Sequence, residues 1–110
     1  MSPERDFLED IFVAAHLALS YVEGISRADV ENNIEKQDAI VRRLAVIGEA
    51  ATKLPEPIKT ALPQIPWQSV IGLRNILVHQ YWEIDFDELW VIIHRDLPLL
   101  IESIEEFRSK

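Results

Sequence analysis

Apolar residues recur at three- and four-residue spacing along almost the whole chain, and β-branched residues rarely alternate with polar ones. That period is helical. Ser2-Pro3 reads as an N-cap followed by proline at the first helical position, and Phe7, Ile11, Ala15 (or Ala14), Ala18 and Val22 then form one stripe. Gly24 suits the residue after a helix end, because it takes the left-handed conformation without a Cβ penalty. The pattern predicts a first helix over 3–23. Ser26 to Asp29 resembles a capping box and predicts one short helical turn, after which Asn32-Asn33 interrupts.

A second long helix is predicted over 35–54, with Ile40, Leu44, Ile47 and Ala51 as its stripe and Val41 and Ala45 widening it. Gly48 lies inside that stripe, where glycine costs about 1 kcal/mol relative to alanine; close approach of another backbone is the expected reason. Pro55, Pro57, Pro63 and Pro66 punctuate the next stretch, with a turn or two of helix between Ile58 and Leu62. A third helix is predicted over Trp67–His79 on Val70, Leu73 and Leu77. Asp85, with Glu88 three residues on, opens the last one. Phe86, Leu89, Trp90, Ile93, Leu97, Leu100, Ile101 and Ile104 carry its apolar face to Phe107. Pro98 should kink this helix, or Asp96 mark a break, because proline removes a donor and clashes with the preceding turn. The expected architecture is all-α: an up-and-down helical bundle of four main helices plus short helical pieces, in a single domain over 1–110.

Composition narrows the chemistry. The 110 residues contain no cysteine, which removes disulfides, thiolate metal sites and cysteine nucleophiles and suits a reducing cytoplasm. No basic segment leads into a clean apolar run at the start, and no apolar stretch is long enough to cross a membrane. The net charge of −8 argues on its face against nucleic-acid binding. The charge is uneven, however. Residues 1–35 hold two basic and eight acidic side chains, and 83–110 hold three and eight. Residues 36–82 hold six basic side chains (Lys36, Arg42, Arg43, Lys53, Lys59, Arg74) against three acidic ones. A basic middle is flanked by acidic ends.

The candidate chemistry lies in that middle, at Arg74-Asn75-Ile76-Leu77-Val78-His79-Gln80-Tyr81. Asn75 and His79 share one helical stripe; Arg74, Val78 and Tyr81 share the next, if the helix persists to Tyr81. Arg74 and His79 are about 140° apart around an ideal axis. They meet only if the helix unwinds near His79 or if a second copy of the chain brings its own pair alongside. These residue types suit RNA cleavage without metal: a histidine removes the proton of the 2′-hydroxyl, and a guanidinium stabilises charge on the phosphoryl oxygens. Asn75 is a supporting residue that orients the imidazole or binds phosphate. One histidine leaves the departing 5′-oxygen without an acid, and two-fold symmetry would supply a second. As a bare pattern, R-x4-H-x-Y equally fits a helix C-terminus where His79 meets the helix dipole and Tyr81 packs its ring.

The surrounding motifs resemble a family. Ile47-Gly48-Glu49-Ala50, then Trp67, then Ile71-Gly72-Leu73-Arg74-Asn75 leading to His79 and Tyr81, then Leu89-Trp90 and Leu97-Pro98, follow the order of HepT-type toxins of the HEPN superfamily over nearly the whole chain. The resemblance implies a HEPN-like fold and a homodimeric, metal-independent endoribonuclease acting as the toxin of a toxin–antitoxin pair. Its composite site would lie at the dimer interface, with Arg74 and His79 catalytic and RNA, tRNA or mRNA, as substrate. It further implies a minimal nucleotidyltransferase antitoxin that moves AMP from ATP to Tyr81 and silences the toxin, with no cofactor in the toxin itself. The competing expectation is a non-catalytic homodimeric helical module that binds a nucleotidyltransferase or nucleotide.

Around this core of candidates, Arg42, Arg43 and Trp82 are expected as RNA contacts, with solvated arginines as the plainer reading of the first two. Trp67 and Trp90 read as core or interface anchors, His16 and His94 as structural, and Asp85, Asp87 and Glu88 as a capped helix start rather than a metal site. Gly48 is expected to serve packing; the role of Glu49 is open.

Overall fold

Asp6 sets the start of the first helix: its Oδ1 accepts the amide N–H of Glu9 at 2.9 Å. The structure, a computed structural model, describes residues 6–79 and 85–110, with 75–79 described by their backbone. Helix α1 spans Phe7–Ser20, ending before the predicted 23, while the predicted residues 3–5 lie outside the described residues. The Ser2-Pro3 cap lies outside the described residues. At the other end the amide of Tyr21 is shared between the carbonyls of Leu17 and Ala18, and Val22 bonds Leu19 three residues back. The helix tightens into turns that reach Gly24, whose φ of +72° is the left-handed conformation expected of it.

Ser26 caps the short α2 (Arg27–Glu31) by accepting the N–H of Asp29. Asn33 then caps α3 (Ile34–Lys53), accepting from Lys36 at 3.0 Å. The interruption read at Asn32-Asn33 is therefore also the start signal of the next helix. Pro55 opens α4 (Glu56–Ala61), which begins and ends slightly earlier than the predicted 58–62. Helix α5 spans Trp67–His79. Trp67 anchors its start: the indole N–H reaches the carbonyls of Lys59 and Leu62, each at 3.1 Å.

The last helical run is continuous, without the predicted break. Asp85 caps α6 (Phe86–Val91) by accepting the N–H of Glu88. A π-helical turn over Ile92–Asp96 then leads into α7 (Leu97–Arg108). The Leu97 amide bonds the Ile92 carbonyl five residues back instead of four. Pro98 explains the wide turn: in a regular helix its ring would press on the carbonyl four residues earlier, and it has no N–H to donate there.

The packing order follows from which stripes are buried. Helix α3 lies against both α1 and α5, and α7 covers α1 on another side. Ile40, Leu44, Ile47 and Ala51 of α3 are fully buried, as the stripe predicted. They meet Ile11, Ala14, Ala15 and Ala18 of α1 and join Val70 and Leu73 of α5 and Ile93, Leu97, Leu100 and Ile104 of the last run in one apolar cluster. The chain is thus all-α, with four main helices (α1, α3, α5 and the α6–π–α7 run) plus α2 and α4. No strand occurs among the described residues, and no described helix is long and apolar enough to cross a membrane.

Candidate active site

Gly48 and Arg74 touch backbone to backbone. A Cβ on Gly48 would lie 2.7 Å from the Arg74 amide nitrogen and 2.9 Å from the Arg74 Cβ. The glycine inside the α3 stripe therefore lets α5 approach at the turn that carries Arg74, which is the close approach its position predicted. The next residue of α3 takes the other end of the same arginine. Glu49 Oε2 lies 2.8 Å from Arg74 Nη1. The second carboxylate oxygen of Glu49 faces Lys53 Nζ at 3.4 Å, one helical turn on.

These groups line an open cleft of about 520 Å³ between α1, α3 and α5. Arg42, Glu49 and Lys53 come from one face of α3, Phe7 and Asp10 from α1, and Arg74 from α5. Lys53 sits 5.8 Å from the centre of the Phe7 ring, a cation–π distance. Three cations and two carboxylates thus surround one cavity in a chain of net charge −8. The Arg74 side chain is half exposed and the Glu49 side chain nearly so (50% and 43%), so the guanidinium is fixed yet open to solvent.

The structure separates the two arginines that the sequence places side by side. Arg42 is exposed and lines the cleft. Arg43 is half buried, does not line the cleft, and its Nε is shielded from solvent with no partner among the described residues. Consecutive positions leave a helix about 100° apart, which turns Arg43 away from the groove that Arg42 faces. Helix α5 stays helical through His79. Positions 74 and 79 therefore leave its axis about 140° apart, and unwinding before His79 does not bring them together. The side chains of Asn75 and His79, and all of Tyr81 and Trp82, lie outside the described residues.

Other candidates fall away from the cleft. His16 is exposed and edge-on to Phe12 at 4.6 Å, and His94 is exposed against Trp90 at 4.2 Å. Trp90 is half buried, stacked on Phe86 and tilted against His94. Asp87 pairs with Arg27, which also lies over the Phe86 ring and ties α2 to α6. The sequence leaves the role of Glu49 open and marks Lys53 only as one of the basic residues of the middle segment. The signal was there: they stand at i, i+4, and Arg42 shares their face one further pair of turns back.

Comparison with known proteins adds the family. A sequence model described as "Ribonuclease HepT-like" matches residues 11–107. The chain is 34% identical over 101 residues to "Putative RNase MJ1380" of Methanocaldococcus jannaschii, covering 92% of this chain and 93% of that one. It is also 34% identical over 105 residues to "Probable ribonuclease HepT" of Thermococcus cleftensis, covering 96% of each. No solved structure matches. With its all-α fold and a match over nearly its whole length, this chain belongs to the HepT-like ribonuclease family.

Proposed function

We propose that this chain is the toxin of a toxin–antitoxin pair, a metal-independent endoribonuclease that acts in the cytoplasm as a homodimer. One observation carries the reading beyond family membership: a fixed, half-exposed Arg74 opens on a cleft shared with Arg42 and Lys53 in an otherwise acidic protein. Such a guanidinium offers paired hydrogen bonds to a phosphodiester.

In the proposed reaction His79 takes the proton of the RNA 2′-hydroxyl, the 2′-oxygen bonds to phosphorus, and the bond to the 5′-oxygen breaks. Arg74 stabilises the charge that builds on the phosphoryl oxygens. A protonated histidine from the second protomer supplies the proton for the leaving oxygen, leaving a cyclic phosphate and a free 5′-hydroxyl. The helical course of α5 through His79 supports a composite site, because positions 74 and 79 of one copy diverge. Silencing follows when a partner nucleotidyltransferase joins the Tyr81 phenol oxygen to the α-phosphorus of ATP and releases pyrophosphate. The added phosphate and adenosine then crowd the site and repel RNA.

The test is cleavage of RNA by purified protein in EDTA, with Tyr81 verified as unmodified by mass spectrometry. Wild-type protein is expected to cut and His79→Ala to leave the RNA intact. Equal inactivity of both favours the non-catalytic dimeric module. A mass increase on Tyr81 that requires both the partner and ATP is the expected sign of modification.

A further inference from the structure

We infer that Glu49 is a positioning residue for Arg74, and that the Gly48–Glu49 step of α3 seats the arginine at both ends; the inference rests on reading Arg74 as the phosphate-binding group of a nuclease. Gly48 brings the α5 backbone down onto α3 at Arg74. Glu49, one residue on, receives the guanidinium at 2.8 Å. Adjacent residues of one helix thus set both where the arginine starts and where its charge ends.

Binding strength does not account for the carboxylate. A negative group beside Arg74 lowers the positive charge offered to a phosphate, so a cleft built only to hold RNA would do better without it. Stability does not account for it either, since ion pairs this exposed contribute little to folding. Orientation does. Arginine is a long side chain with much rotamer freedom to lose, and a carboxylate contact at one guanidinium nitrogen aims the planar fork in advance. The carboxylate is itself fixed, because Lys53 holds its other oxygen at 3.4 Å while lying against the Phe7 ring. The chain of contacts runs Phe7, Lys53, Glu49, Arg74, from α1 through α3 to α5.

The two effects of the carboxylate act on different kinetic constants. Removing its charge should ease RNA binding and impair the pre-aimed transition-state contact. The experiment compares wild type, Glu49→Gln and Arg74→Ala in steady-state cleavage of a short RNA, with unfolding midpoints measured alongside. Glu49→Gln is expected to keep a wild-type midpoint, to lower kcat about tenfold, and to leave KM equal or lower. Arg74→Ala is expected to lose cleavage. A loss of folded protein would lower kcat with an altered midpoint, and a lost RNA contact would raise KM; either result overturns the positioning role. So does a wild-type kcat in Glu49→Gln while Arg74→Ala is inactive. Wild-type protein that leaves RNA intact overturns the nuclease reading itself, and the kinetic role of Glu49 with it. A readout independent of cleavage is the Arg74 side-chain N–H resonance: it is expected to be restrained in wild type and to move to a solvent-averaged position in Glu49→Gln, and an unchanged resonance overturns the contact.

Discussion

Gly48→Val is expected to destabilise the fold by about 3 kcal/mol, the upper part of the range for overpacking a filled contact. The reason is what a side chain would meet. Even one Cβ would lie 2.7 Å from the Arg74 amide nitrogen and 3.2 Å from its Cα, and a backbone cannot swing aside as a side-chain tip can. Valine adds two methyl groups to that clash, and α5 must lift from α3. Because α5 carries Arg74 and His79, the lifted helix should also lose cleavage in whatever protein remains folded. Gly72 supplies the contrast. It lies in the same helix as Arg74, yet nothing among the described residues comes within 4 Å of a Cβ placed there. Gly72→Ala should therefore gain up to about 1 kcal/mol from helix propensity alone. Urea unfolding of the two variants should move in opposite directions from wild type. Equal shifts would mean that the Gly48 approach does not hold the helices as described.

Arg74→Lys is expected to reduce RNA cleavage about a hundredfold, the effect of removing one preorganised donor to a developing charge, with the fold intact. Lysine keeps the positive charge and can still pair with Glu49, but it replaces a planar fork with a point charge on a flexible stem. Half-exposed as the Arg74–Glu49 pair is, losing it should cost the fold at most about 1 kcal/mol. The rate of RNA cleavage against the unfolding midpoint separates the two quantities. A lysine variant within about threefold of wild type, well inside the 1.4 kcal/mol that a tenfold change represents, would show that charge alone suffices and that the fork geometry of Arg74 is not used.

Much of the fold is legible in the sequence because its signals are local. Ser26 and Asp85 cap their helices three residues downstream, and the buried stripe of α3 is its spacing made solid. Such hydrogen bonds and burial patterns need only the residues of one or two turns. Two positions carry more than one local signal. Asn33 both follows the end of α2 and caps α3, and before Pro98 the run stays continuous and widens by one residue, with no break at Asp96. A wide turn keeps Ile93 and Leu97 in the core on both sides of the proline, and that core is tertiary.

By itself, the sequence determined the helical class, the four main helices, the need for close approach at Gly48 and the concentration of candidate chemistry in its basic middle. Tertiary structure alone decided which groups share the cleft. Glu49 and Arg74 are 25 positions apart, and no local spacing pairs them; the rotation of α3 against α5 does. The same rotation brings Arg42 into the cavity and leaves Arg43 out of it. A helix lays its side chains around a circle, and only its neighbours decide which arc becomes core, which becomes solvent face and which becomes the wall of a site.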